Sequence, residues 1–189
     1  NCPNWSPVCT YEGMDSLLRL RYEMMATMNE AELAPVGAVW RYIRNNHPAI
    51  NLYANDGSHP SAAGSYAAAC TFYTAMFRKD PTAITFDFSL SSADALVIRN
   101  AVKTIVFEDL LTWNIGSYDP MPSFTFTTID SADFTFINTS TNADNYFWDF
   151  GDGNTSTEIS PTNGYSSNNS YIVTLSAIRC GDTVTVSNT

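Results

Sequence analysis

Asp56 and His59 stand three residues apart in "NDGSHPSAAG", the run from Asn55 to Gly64. An aspartate at that spacing can accept a hydrogen bond from one ring nitrogen of the histidine, which fixes the tautomer and leaves the other nitrogen able to take a proton from a serine hydroxyl. The same four residues also describe a surface loop that closes on itself just before a helix cap, so spacing alone leaves both readings open. His47, the other histidine, sits in "NNHP" at the expected end of a helix, where a protonated ring interacts favourably with the helix dipole. Its reading is structural.

Four cysteines give little catalytic chemistry. Cys2 and Cys9 bracket a loop with Pro3 and Pro7 and either close a local disulfide in an oxidising compartment or remain two thiols. Neither has a histidine or a second cysteine pair at zinc-ligand spacing, and no metal or cofactor is expected. Cys70, in "YAAACTFY", is expected as an inert buried thiol, and Cys180 stands beside Gly181 in an expected hairpin turn. Asp149 and Asp152 could hold a hard cation, but turn and strand-end hydrogen bonding explains them as well. Asn138 and Asn154 each begin an "NTS" sequon, meaningful only in a host that glycosylates.

The 189 residues carry a net charge of −10, and 44% are hydrophobic. Such a chain buries a sizeable core, and its shortage of Lys and Arg argues against nucleic acid and against an anionic membrane surface. No apolar run is long enough to span a bilayer, so no membrane insertion is expected. Of 19 acidic and 9 basic residues, eight acidic but only Arg179 among the basic ones lie from Tyr118 onward. The chain changes character there.

The elements expected to carry these residues follow from periodicity. In "DSLLRLRYEMMATM", Leu17, Leu20, Met24 and Met28 have helical spacing, with Asp15 or Ser16 as the N-cap. "APVGAVW" reads as a short buried strand or crossover leading into a helix that stops at or before Pro48. Pro60 and Ser61 open a helix over 61–77 whose small residues suit close packing on a sheet. "ITFDFSL" alternates as a strand or extended arm, and Ser91 with Asp94 forms a capping-box-like start for a helix bearing Ala95, Ile98, Val102 and Ile105. "GSYDPMPS" has the composition of a linker. Beyond it the period becomes two, in "SFTFTT", "DFTFIN", "NYFWDF", "YIVTLSA" and "TVTVS", which predicts a small β-sandwich.

Two resemblances add to this reading. "DGSHPSAAGSYAAACTFY" resembles the last motif block of the SGNH (GDSL-type) hydrolases, in which Asp-x-x-His-Pro precedes the final helix of a flavodoxin-like α/β fold. That resemblance covers roughly residues 1–80 and implies that His59 is the general base, Asp56 its orienting partner, and an acyl ester the substrate. The family's Gly-Asp-Ser nucleophile is not matched. "GMDSLL" looks like a damaged copy, but Ser16 follows "CTYEG" and opens a helix rather than following a buried strand. Under this reading the nucleophile and oxyanion donors lie in upstream sequence, which is needed for activity.

"YFWDFGDGNTS" with "SPTNGYSSNNSYIVTLSA" resembles a PKD domain, an Ig-like sandwich of extracellular proteins, over about residues 120–189. Trp148 and Phe150 would fill its core, and Gly151 and Gly153 its turn. The expected organisation is therefore an SGNH-like region at 1–116, a linker at 117–123 and a PKD-like sandwich at 124–189. The implied parent is a secreted or cell-surface esterase, with a surface polysaccharide ester as the substrate suggested by analogy. The rival readings are a non-catalytic adhesin, spacer or scaffold, and a chain captured inside a larger assembly.

Overall fold

The computed structural model describes residues 8–128 and 132–189, which fall into two compact units, 1–117 and 118–189. Cys9 is disulfide-bonded, while its expected partner Cys2 lies outside the described residues. No helix among the described residues is long and apolar enough to cross a membrane.

The first unit is helical. Helix α1 spans Tyr11–Met28, α2 Val36–Asn46, α3 Ala62–Phe77 and α4 Ser92–Ile105, with 3-10 segments at Pro81–Ala83 and Phe107–Trp113. Its core joins Val39 and Ile43 of α2, Ala63, Ala67 and Cys70 of α3, and Ala95, Ile98 and Val102 of α4. The small residues of α3 bring it close to α2 and α4, rather than to the sheet expected beneath it. "APVGAVW" is helical from Val36, because Val36, Val39, Trp40 and Ile43 share a helical face. "ITFDFSL" joins no ladder and runs as an irregular arm between Pro81–Ala83 and α4. A strand needs a neighbour for its backbone groups, and the described residues of this unit supply only the isolated bridge Tyr53↔Pro60. The α/β architecture is therefore not found among these residues, and an SGNH fold is not shown.

The caps explain where the helices begin. Ser61 and Ser91 accept the amides of Gly64 and Asp94, and α2 ends at Asn46 before His47, all as the sequence implied. The start of α1 differs: Thr10 is the N-cap, so Ser16 is inside the helix, its hydroxyl donating to the Glu12 carbonyl at 2.7 Å. Neither Asp15 nor Ser16 is the cap. Only Ala26 of α1 is buried, and the expected apolar face stays largely open, with Met24 and Met28 exposed.

The second unit has two antiparallel sheets. Strands β1 (Phe124–Thr128), β2 (Asp133–Asn138) and β5 (Thr162–Gly164) pair in the order β1-β2-β5. Strands β3 (Asn145–Asp149), β4 (Thr155–Ser156), β6 (Val173–Arg179) and β7 (Asp182–Asn188) pair in the order β4-β3-β6-β7. Period-two alternation turns Trp148 of β3 and Val173, Leu175 and Ala177 of β6 inward. Trp148 and Phe150 meet Phe136 at ring separations of 5.7 and 5.2 Å, and the indole N–H donates to the Glu158 carbonyl at 3.0 Å. Tyr171 donates its hydroxyl to the Ser167 carbonyl four residues upstream, a tyrosine-corner arrangement.

Candidate functional site

The loop from His47 to Ser61 is fixed before its side chains are considered. Ser61 donates its hydroxyl to the Asn51 carbonyl at 2.6 Å and its amide to the Leu52 carbonyl at 2.9 Å, while Leu52 is 1% exposed. The Ala54 amide donates to the His59 carbonyl, and the Gly57 amide to the Ala54 carbonyl. Gly57 has φ +69°, a left-handed conformation that glycine adopts without a Cβ penalty. Trp40 meets Tyr53 edge-on at 5.0 Å, and the Arg44 guanidinium lies 3.4 Å over the Tyr11 ring and 6.0 Å from that of Tyr53. The loop is thus clamped between α2 and the start of α3.

Gly64 permits that clamp. A Cβ there would collide with the Leu52 carbonyl oxygen and come within 2.7 Å of the Trp40 ring. Backbone cannot give way as a flexible side-chain tip can, so the strain would exceed the helix propensity of about 1 kcal/mol that alanine gains over glycine. The only sequence signal was a glycine inside a helical pattern. Trp40, Leu52 and Tyr53 carried none, because their role depends on contacts between elements.

On this support the sequence-predicted pair comes together. One Asp56 carboxylate oxygen accepts the amides of Ser58 and His59, each at 2.9 Å, and the other lies 2.6 Å from His59 Nδ1. An ionised carboxylate only accepts, so Nδ1 carries a proton, and in the neutral ring Nε2 then presents the lone pair. The His59 ring holds the Asp56 carboxyl below the usual range, with the His59 and Ser58 amides adding to the effect. Nε2 makes no hydrogen bond to the described residues, and the His59 side chain is 79% exposed. The Ser16 hydroxyl is committed to Glu12 and does not meet it. The pair can orient an imidazole base, and the group it would deprotonate is not among the described neighbours.

The remaining candidates have structural surroundings. His47 follows α2 with its ring 6.2 Å from Tyr42. Cys70 is buried, and burial pushes its thiol up, away from reactivity. Cys180 is a free, exposed thiol in the β6–β7 turn. Asp149 accepts the Gly151 amide, and Asp152 accepts from the Asn154 amide, the Asn154 side chain and the nearly buried Asn163. Those bonds satisfy both carboxylates as turn acceptors. Asn154 spends its side-chain amide on Asp152 and Asn163. Among the described residues no three His, Cys, Asp or Glu side chains are grouped so as to hold a metal ion.

The two sheets, the buried Trp148 between them and the Tyr171 corner define the second unit as an Ig-like β-sandwich. The "WDFGDG" turn narrows the class: Gly151 has φ +75°, and a Cβ there would come within 2.6 Å of the Ile172 carbonyl oxygen. Residues 121–189 match the family model of the PKD domain. Among solved structures, the PKD1 domain from the Vibrio cholerae metalloprotease PrtV is 36% identical, over 37% of this chain and 91% of that one, with a TM-score of 0.35. The PKD1 domain of Vibrio anguillarum Epp is 31% identical, over 37% of this chain and 88% of that one, also with a TM-score of 0.35. No curated protein matches the chain.

Proposed function

We propose that this chain belongs to a secreted or cell-surface serine esterase, in which Asp56 and His59 handle the proton and the PKD domain is an accessory module. One observation carries the reading: the 2.6 Å contact between His59 Nδ1 and an Asp56 carboxylate held by two backbone amides, with Nε2 open. The disulfide at Cys9 and the PKD domain support an extracellular setting.

In this reading a serine supplied by sequence outside these 189 residues attacks the ester carbonyl carbon as its proton passes to His59 Nε2. The tetrahedral oxyanion collapses, the alcohol leaves with that proton, and water repeats the sequence on the acyl-serine. Asp56 stays ionised and stabilises the imidazolium. The substrate class is an acyl ester, and an ester on a surface polysaccharide follows by analogy with the company PKD modules keep.

The test is fluorophosphonate labelling of the full-length protein from its natural source, with peptide mapping of the modified residue. A label on a serine outside the 189 residues, slowed about 100-fold or more by His59→Ala, is the expected result. A label on Ser16 would overturn the assignment of the nucleophile. A folded protein that takes no label would remove the esterase and leave a PKD-bearing scaffold or adhesin.

A further inference from the structure

A β-sandwich must protect the edges of its sheets, and this one protects them unequally. Among the described strands, β4 has 2 residues, β5 has 3 and follows Pro161, and β1 has 5 and follows Pro120 and Pro122. Strand β7 has 7 residues, "DTVTVSN", with neither lysine nor proline. It is the long edge of its sheet, paired on one side with β6.

The direction of its free groups follows from the turn before it. Cys180 and Gly181 have φ +49° and +96°, the primed geometry of a two-residue hairpin, so Arg179 and Asp182 exchange hydrogen bonds. The bonded set on β7 is then Asp182, Val184, Val186 and Asn188. The far side of β6 confirms the parity, since the Asp144 amide donates to the Ile178 carbonyl there. The amides and carbonyls of Thr183, Thr185 and Ser187 therefore point away from β6, and they make no hydrogen bond to the described residues.

We propose that this edge pairs with β7 of a second copy of the chain, antiparallel and centred on Thr185. The strand is self-complementary about that residue. Thr185 meets its own counterpart, Thr183 meets Ser187, and every outward amide and carbonyl gains a partner. On the inner face Val184, which is 40% exposed and sits opposite Ala177, meets Val186 of the other copy. At the ends Asp182 meets Asn188, so no like charges are opposed. Centring the pair on Thr183 or Ser187 leaves outward groups unpaired, and a one-residue shift sets inner valines against outer threonines. The symmetric register is the one that satisfies both the backbone and the faces, and it joins the two four-stranded sheets into one.

Sedimentation velocity on the 189-residue chain over a range of concentrations tests this, with amide hydrogen exchange at each concentration. A dimer is expected, strengthened by added salt because each chain carries −10. The Thr183, Thr185 and Ser187 amides should slow as the dimer forms, whereas Val184 and Val186 are protected throughout. Thr185→Pro removes an outward donor without touching the bonds to β6, and Val184→Lys places a charge at the seam; each should weaken association about tenfold or more. Ile159→Lys, at an exposed position away from the strand, should not. If Thr185→Pro fails to fold, Val184→Lys carries the test. A monomer at every concentration, or a dimer that neither folded variant weakens, would overturn the pairing.

Discussion

Asp56 and His59 show what an exposed pair can and cannot contribute. The Asp56 carboxyl is lowered from 3.8 chiefly by the His59 ring and then by two backbone amides. A carboxyl lowered on folding stabilises its loop above its unfolded pKa, and that contribution is lost as the pH falls through the lowered value. A carbon-13 NMR titration should therefore find Asp56 titrating below 3.8 in the native chain, and moving upward in His59→Ala without fully reaching that value, since the Ser58 and position-59 amides remain. An unmoved titration in the variant would show that the ring does not hold the carboxylate. The pair was legible in the sequence because its geometry is local, fixed by a spacing of three residues and a glycine turn. Ser16 was misplaced because its position depends on Thr10, whose hydroxyl accepts the Gly13 amide and starts α1 earlier than the apolar spacing alone indicated.

At the scale of elements, Asp80 ties the 3-10 turn that follows α3 to α4. It caps the 3-10 turn Pro81–Ala83, accepting the Thr82 amide at 2.8 Å and hydroxyl at 2.6 Å, and it pairs with Lys103 at 2.7 Å in the last turn of α4. Lys103 first, and then Thr82, hold its carboxyl down to about 2. The stabilisation is complete above 3.8 and is lost as the pH falls to about 2. With both side chains about a third exposed, solvent screening reduces it to about 1 kcal/mol. Denaturant unfolding of Asp80→Asn should show that deficit at neutral pH and almost none near pH 2. A deficit unchanged across that range would assign the loss to the cap's neutral hydrogen bonds instead. The caps at Ser61 and Ser91 were readable because each is decided within one turn of chain. "APVGAVW" and "ITFDFSL" were not, because a short apolar run becomes a strand only if another strand lies beside it, and that is settled by tertiary contacts. Here Val36 to Ile43 satisfies its own backbone as a helix. The arm is fastened by side chains, with Tyr66 donating to the Phe86 carbonyl at 2.8 Å and Arg99 pairing with Asp87 at 2.6 Å.

For the whole molecule, two separate cores make two separate stabilities. The first unit closes around Val39, Ile43, Ile98 and Val102, the second around Phe136, Trp148, Phe150 and Leu175. The two were unequally legible. The sandwich shows its period of two in the five longer strands, while β4 and β5, two and three residues long, are too short to carry one. The helical unit takes its form from a few small residues on α3 that allow close approach. Folding units that each bury their own apolar surface are expected to unfold each in its own transition. Trp148 is fully buried and contacts Phe124, Phe136 and Phe150, so Trp148→Ala removes the centre of the second core and should cost about 3–5 kcal/mol there. Ile98, also fully buried, plays the same part in the first, where Ile98→Ala should cost about 2–5 kcal/mol. In scanning calorimetry each substitution should lower one transition and leave the other in place. A single transition that both substitutions lower by the same amount would instead mean that the cores fold as one, and that the loop bearing Asp56 and His59 depends on the sandwich for its stability.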